Sequence, residues 1–287
     1  MPLVDLPAFS SSASNLREAA LKLRTNSSSV TIQAPISESG VFASAILEAA
    51  LLDAGIPYQR RLRDELVLPT GPSVLISESV VSKLADITNA PLRIEHSPVE
   101  VDALIASGGD TRRGVISAVA LAGALAELIS PKGALTRLLR PWALAGNWIS
   151  DAMEHTYDPV YTVLRDYLSG EGLINVVTLP EVPDVDYQSL PLVDAVAAQA
   201  VRDRWGQLDL EGRAQAISHL LKPQLSSETP STARLEELGW HRIMYTGWER
   251  DLASQISIFQ DEWRNSSSKR SQANKAIDQL LKSGHLN

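Results

Sequence analysis

The 287-residue chain contains no cysteine. Disulfides and thiolate metal sites are excluded, and a reducing compartment suits it. No apolar run approaches the ~18–20 residues of a membrane span. The opening segment, MPLVDLPAFSSSASNLREAA, lacks the basic start and apolar core of a secretory leader, so a cytoplasmic location is expected. Lys/Arg runs never exceed two residues (Arg60–Arg61, Arg112–Arg113), and the formal net charge is −8. That balance gives no support to a free-standing, non-specific nucleic-acid binder. There is no G-x-S-x-G elbow, no P-loop and no G-x-G-x-x-G turn. His96, His155, His219, His241 and His285 show no zinc spacing.

What is present is ordinary for a folded protein, with 44% hydrophobic and 21% charged residues. Helical spacing over 14–24 is followed by a β-branched run, VTIQAPI, and a strong helix over 42–55 that Gly55 closes. SVLIS (73–77) and LRIEHS (92–97) read as further buried strands, with a short helix expected over 79–87. The stretch 116–129 is apolar nearly all round, which predicts a buried helix. Residues 134–154 continue helical, interrupted at Pro141. Strands alternating with buried helices predict an α/β fold with a doubly wound, mainly parallel sheet, followed by a mostly helical C-terminal region. Ligands in such sheets bind beyond the carboxyl ends of the strands, here 36–40, 77–79 and 95–98. A division follows: 1–157 as the α/β domain, 158–264 as a helical region with a Pro-rich connector at 175–191, and 265–287 as a flexible tether with a short amphipathic helix.

The order of these pieces resembles the RecJ-like branch of the DHH phosphoesterase superfamily. IQAPISESG…SAILEAALLDAGIPY matches the framework of its first motif at Ile32, Ile36, Gly40, Ala45, Ile46, Gly55, Ile56 and Pro57. The family's metal-binding histidine falls at Pro35 and its two aspartates at Ser37 and Ser39. The aspartate ending the second motif falls at Ser77. The Asp-His-His motif reads Glu95, His96, Ser97. The Gly-x-x-x-Asp motif offers Gly146 and, one residue late, Asp151. The likeness continues at framework level to residue 262. No Gly-Gly-x-His signature of the family's C-terminal substrate-gripping domain follows, and SGGD (107–110) lacks the histidine and the position.

The resemblance implies hydrolysis of phosphodiesters by two manganese or magnesium ions held by aspartate and histidine. Serine is a neutral, weak ligand for such ions. The resemblance therefore implies a pseudoenzyme with no resident metal or cofactor. Its implied role is that of a structural subunit of an archaeal DNA replication complex, with GINS and MCM helicase subunits as partners and single-stranded DNA met only within the assembly. A nucleoid association would accompany that role. Two other readings stay open. Glu95, His96 and Asp151 could support a weak metal-dependent phosphoesterase, or Ser37, Ser39 and the amides near Gly40 could hold a phosphate as a sensor. Plainer readings stand beside these: His96 hydrogen-bonded to backbone, and tryptophans packing in the core. The terminal stripe of Ile277, Leu280 and Leu281 either docks in a partner's groove or folds back on its own domain.

Overall fold

The computed structural model describes residues 2–65, 67–105, 111–155, 157–227 and 230–287. SGGD lies outside the described residues. Helix α1 (Ala13–Thr25) buries Leu16, Ala19, Ala20 and Leu23 on one side. Strand β1 (Val30–Ala34) is buried at all five positions, as a central strand covered on both faces must be. Helix α2 (Glu38–Asp53) carries the chain to β2 (Tyr58–Leu62), closed by Gly55 at φ +67°, a conformation glycine adopts without strain. β3 (Ser73–Ile76), β4 (Thr88–Asn89) and β5 (Leu92–His96) complete a sheet ordered β2-β1-β3-β5-β4. All neighbours are parallel except β4, which runs antiparallel on β5. The winding thus reverses at β1, which places a crevice between the carboxyl ends of β1 and β3.

The expected helix over 79–87 is absent. Val81 instead bridges to Val99: its N–H donates to Pro98 O at 2.8 Å, and its carbonyl accepts from Glu100 N–H at 3.0 Å. Tertiary pairing has taken the backbone groups a helix would use. The next elements are an antiparallel hairpin, β6 (Val99–Ile105) and β7 (Thr111–Ile116), then α3 (Ala118–Ile129). Two short helices, α4 (Ala134–Leu139) and α5 (Ala145–Trp148), flank a 3-10 turn at Pro141. They precede α6 (Ala152–His155) and α7 (Pro159–Gly170). The Pro-rich connector contributes β8 (Asn175–Val177). The helical region holds α8 (Ala195–Arg204), α9 (Leu210–Leu221) and α10 (Thr232–Trp240), then β9 (Arg242–Met244), antiparallel to β8. Among the described residues no helix is long and apolar enough to cross a membrane.

The last two helices, α11 (Leu252–Asn265) and α12 (Lys269–Ser283), are separated by 266–268 alone, so the expected tether is a tight turn. Helices α12, α2, α3 and α1 lie side by side. Arg60 of β2, in register with Ile32, marks the sheet face they cover, because it reaches Glu48 of α2 and Asn274 and Asp278 of α12. Ile277 and Leu280 are fully buried and Leu281 half-buried, so the stripe expected to serve a partner is used within the chain. Trp142 Nε1 donates to Gly284 O at 2.9 Å and Leu286 N to Gln255 Oε1 at 2.9 Å, tying the terminus to the core. Trp142, Trp148, Trp205 and Trp248 are buried, and Trp142 packs against Phe42 at 5.2 Å between ring centroids. Their role is packing.

Candidate functional site

A cleft of about 680 Å³ opens at the crevice between β1 and β3. Ser37, at the end of the loop after β1, and Ser39, in the first turn of α2, line it, with Ser77 from the loop after β3. Gly146, Ser150 and Asp151 line it from around α5, and Gln260 and Trp263 of α11 wall the far side. Positions of the first, second and fourth motifs, more than 100 residues apart in the chain, therefore meet. The third motif does not join them: Glu95, His96 and Ser97 are outside the lining, as is Pro35.

The hydroxyls of Ser37, Ser77, Ser117 and Ser150 serve the backbone around them. Ser37 Oγ accepts from Gly40 N–H at 3.1 Å and caps α2. Ser77 Oγ accepts from Ser79 N–H at 3.1 Å and Ser150 Oγ from Ala152 N–H at 3.3 Å. Ser117, also in the lining, caps α3 by accepting from Ala120 N–H at 3.1 Å. Serine caps a helix about as well as aspartate does. The loops thus keep the geometry that aspartates would give them and lose the charge. Ser150 lies four residues after Gly146, the simple motif spacing, so the fourth aspartate position falls there as well as beside Asp151. Strict counting from Gly146 would have found it.

Both motif glycines are explained by close approach. A Cβ on Gly40 would lie 2.2 Å from Pro35 O, and one on Gly146 would lie 2.4 Å from Ser117 Oγ and 2.7 Å from Val119 Cβ. Between these loops sits Asn147, which no motif singles out. Its Nδ2 donates to Val115 O at 2.8 Å and to Asp158 Oδ2 at 2.9 Å, and its Oδ1 accepts from Ser117 N–H at 3.3 Å. Asp158 in turn caps α7, and burial pushes its carboxyl above the usual range.

The charged lining residues are Glu38, Glu78 and Asp151, with no Lys, Arg or His among the lining. Glu38, in the first turn of α2, offsets the positive end of that helix and accepts from Gln260 Nε2 at 2.8 Å. Gly40 N–H is already taken by Ser37. A phosphate held by Ser37, Ser39 and Gly40 would meet three carboxylates without a cation, so the anion-sensor arrangement is poorly matched. The donor set does not fit a manganese or magnesium pair either, since these ions take hard oxygen ligands that converge on one point. Among the described residues no three His, Asp or Glu side chains converge.

His96 is fully buried, and neither ring nitrogen has a well-formed hydrogen bond. Burial pulls its pKa down to about 4, partly offset by the Glu95 backbone, so the ring is neutral near pH 7. Successive strand residues face opposite ways. Glu95 is exposed while His96 is buried, so the two cannot share an ion, and neither reaches Asp151 across the cleft.

No protein-family model and no curated protein sequence matches the chain. Among solved structures, CDC45 from Entamoeba histolytica superposes on 95% of this chain and 68% of its own, with a TM-score of 0.52 at 10% identity. The exonuclease RecJ bound to manganese aligns over 92% of this chain and 70% of its own, with a TM-score of 0.36 at 13% identity. The chain shares the fold of CDC45, a RecJ-like protein, in its mainly parallel sheet and helical C-terminal region.

Proposed function

We propose that this chain is a non-catalytic RecJ-like subunit of a DNA replication complex, an archaeal assembly in which GINS and MCM helicase subunits are its partners. The observation that carries the reading is the cleft itself. Serines stand at the positions matched to the family's aspartates, the hydroxyls of Ser37, Ser77 and Ser150 accept from neighbouring backbone amides, and no Lys, Arg or His is in the lining. The shared fold with CDC45 supports the replication context. Single-stranded DNA is then met only within the assembly, consistent with a net charge of −8.

Affinity purification from the source cells, followed by mass spectrometry, tests the partner half. Recovery of GINS or MCM subunits is expected; an unrelated complex in their place refutes it. The inert half is tested by incubating the purified chain with single-stranded DNA and manganese. No nucleotide release is expected, and release that disappears in Asp151→Ala overturns the reading.

A further inference from the structure

Strand β2 is an edge of the main sheet, bonded only to β1. Val30 N–H donates to Pro57 O and Arg63 N–H to Ala34 O, each at 2.9 Å, which sets the parallel ladder. In that ladder the N–H and C=O groups of Tyr58, Arg60 and Leu62 point away from β1, and among the described residues no backbone hydrogen bond is made to them from outside the sheet. An open edge of this kind is a template for another strand.

A concavity of about 530 Å³ lies at the end of this edge, lined by Arg60, Arg61, Arg63 and, from α12, Arg270 and Asn274. It is a cationic cavity on a chain of net charge −8. Arg60 is locked in place: its Nε and Nη2 donate to Glu48, which is fully buried, at 2.6 and 2.7 Å, and Nη1 donates to Asn274 at 3.0 Å. Among the described residues Arg61 has only a 3.3 Å bond to Gln59, while Arg63 and Arg270 are exposed and make no ion pair. Charged side chains on an edge can serve merely to discourage pairing. A rigid concave wall with Arg61 and Arg63 on one side of the sheet and Arg270 on the other is more than that purpose needs. Alternation puts the side chains of an added strand on both sides in turn. Val67, about half exposed, offers an apolar contact at the same rim.

We propose that the β2 edge binds an extended acidic segment of a partner protein, added as a strand beside β2 with its carboxylates on Arg61, Arg63 and Arg270. Main-chain bonds to Tyr58, Arg60 and Leu62 supply the pairing, and the arginines select for acid. A nucleic acid has no strand backbone to pair with the open groups of Tyr58, Arg60 and Leu62, so the edge favours a peptide. The proposal stands on this edge and does not depend on the cleft being inert.

The test uses the full chain and fluorescence anisotropy with an eight-residue probe of two Glu-Glu-Val-Val repeats, capped at both ends, which puts Glu on both sides of an added strand. Three controls accompany it: the same probe with Lys for Glu, a Glu-containing probe with Pro at alternate positions, and oligo-dT. The Glu–Val probe is expected to bind in a salt-dependent way and to slow amide exchange at Tyr58, Arg60 and Leu62. Arg63→Glu with Arg270→Glu is expected to weaken it at least tenfold, with an unchanged circular dichroism spectrum. Binding of the Lys probe as tightly overturns the charge selection. Equal binding of the Pro-containing probe, or unchanged exchange at β2, overturns strand addition. Capture of oligo-dT without capture of the Glu–Val probe assigns the cavity to nucleic acid and refutes the proposal.

Discussion

Replacing Ser37 separates the two jobs an aspartate would do at that position. Its Oγ accepts from Gly40 N–H, the third residue of the first turn of α2. Ser37→Ala leaves that amide without its partner in a half-buried loop. Loss of such a cap costs about 1 kcal/mol, within a range of roughly 0.5–2. Ser37→Asp keeps the acceptor. It gains on the order of 0.3–1 kcal/mol from the positive end of α2. It loses a comparable amount to Glu38, Glu78 and Asp151, which line the same cleft. Ser37→Asp should therefore stay within ~0.5 kcal/mol of the parent, and raising the salt concentration should improve it by screening the repulsion. Urea denaturation at low and high salt reads both variants from the shift in midpoint at constant slope. A silent Ser37→Ala, or a Ser37→Asp as damaging as Ser37→Ala at high salt, refutes the argument that serine kept the fold's part of the aspartate's role.

Gly40→Ala forces a Cβ within 2.2 Å of a backbone carbonyl, so a loss of ~1–3 kcal/mol or more is expected by denaturation, against a near-neutral Gly71→Ala, whose Cβ meets nothing within 4 Å. Ile277→Ala should cost ~2–5 kcal/mol, because the side chain is fully buried in the chain's own core; a loss below ~0.5 kcal/mol would show that α12 is not part of it. His96 has a folded pKa of about 4 against ~6.5 when unfolded, so the native state binds fewer protons between those values. Its contribution is full above the unfolded value and declines as pH falls toward the folded one. The parent should lose about 2 kcal/mol more than His96→Leu between pH 7.5 and pH 5.0. Buried Glu127 and Asp158, both raised, titrate alike in parent and variant, so equal losses in the two overturn the assignment.

The framework of β1, α2, β3 and β5 was legible in the sequence because each follows its own period with a clear stop, Gly55 above all. The β6–β7 hairpin was missed although the signal existed: Val99, Val101 and Ala103 are buried between exposed Glu100 and Asp102. β2 was missed for a better reason, since YQRRL has no apolar alternation and is held as a strand by pairing with β1. The helix expected over 79–87 failed because Val81 bonds to Pro98 and Glu100, partners no local window contains. Four serines of the cleft could be suspected from motif position, whereas the bonds of Ser37, Ser77 and Ser150 to backbone amides and the placement of Asn147 could not.

Residue type alone decided what chemistry the cleft lacks. Folding can move a hydroxyl but cannot make it a carboxylate, so Ser37, Ser39 and Ser77 put neutral side chains in the cleft before any coordinate. Tertiary structure decided everything that depends on which face a side chain takes. It buried His96 and exposed Glu95 one residue away, and it folded Ile277 and Leu280 onto α2. It also drew α11 across the cleft and left the edge of β2 open. Each of these turns on contacts between distant segments, and the local periodicity of a sequence records that a residue is apolar or charged without recording what will cover it.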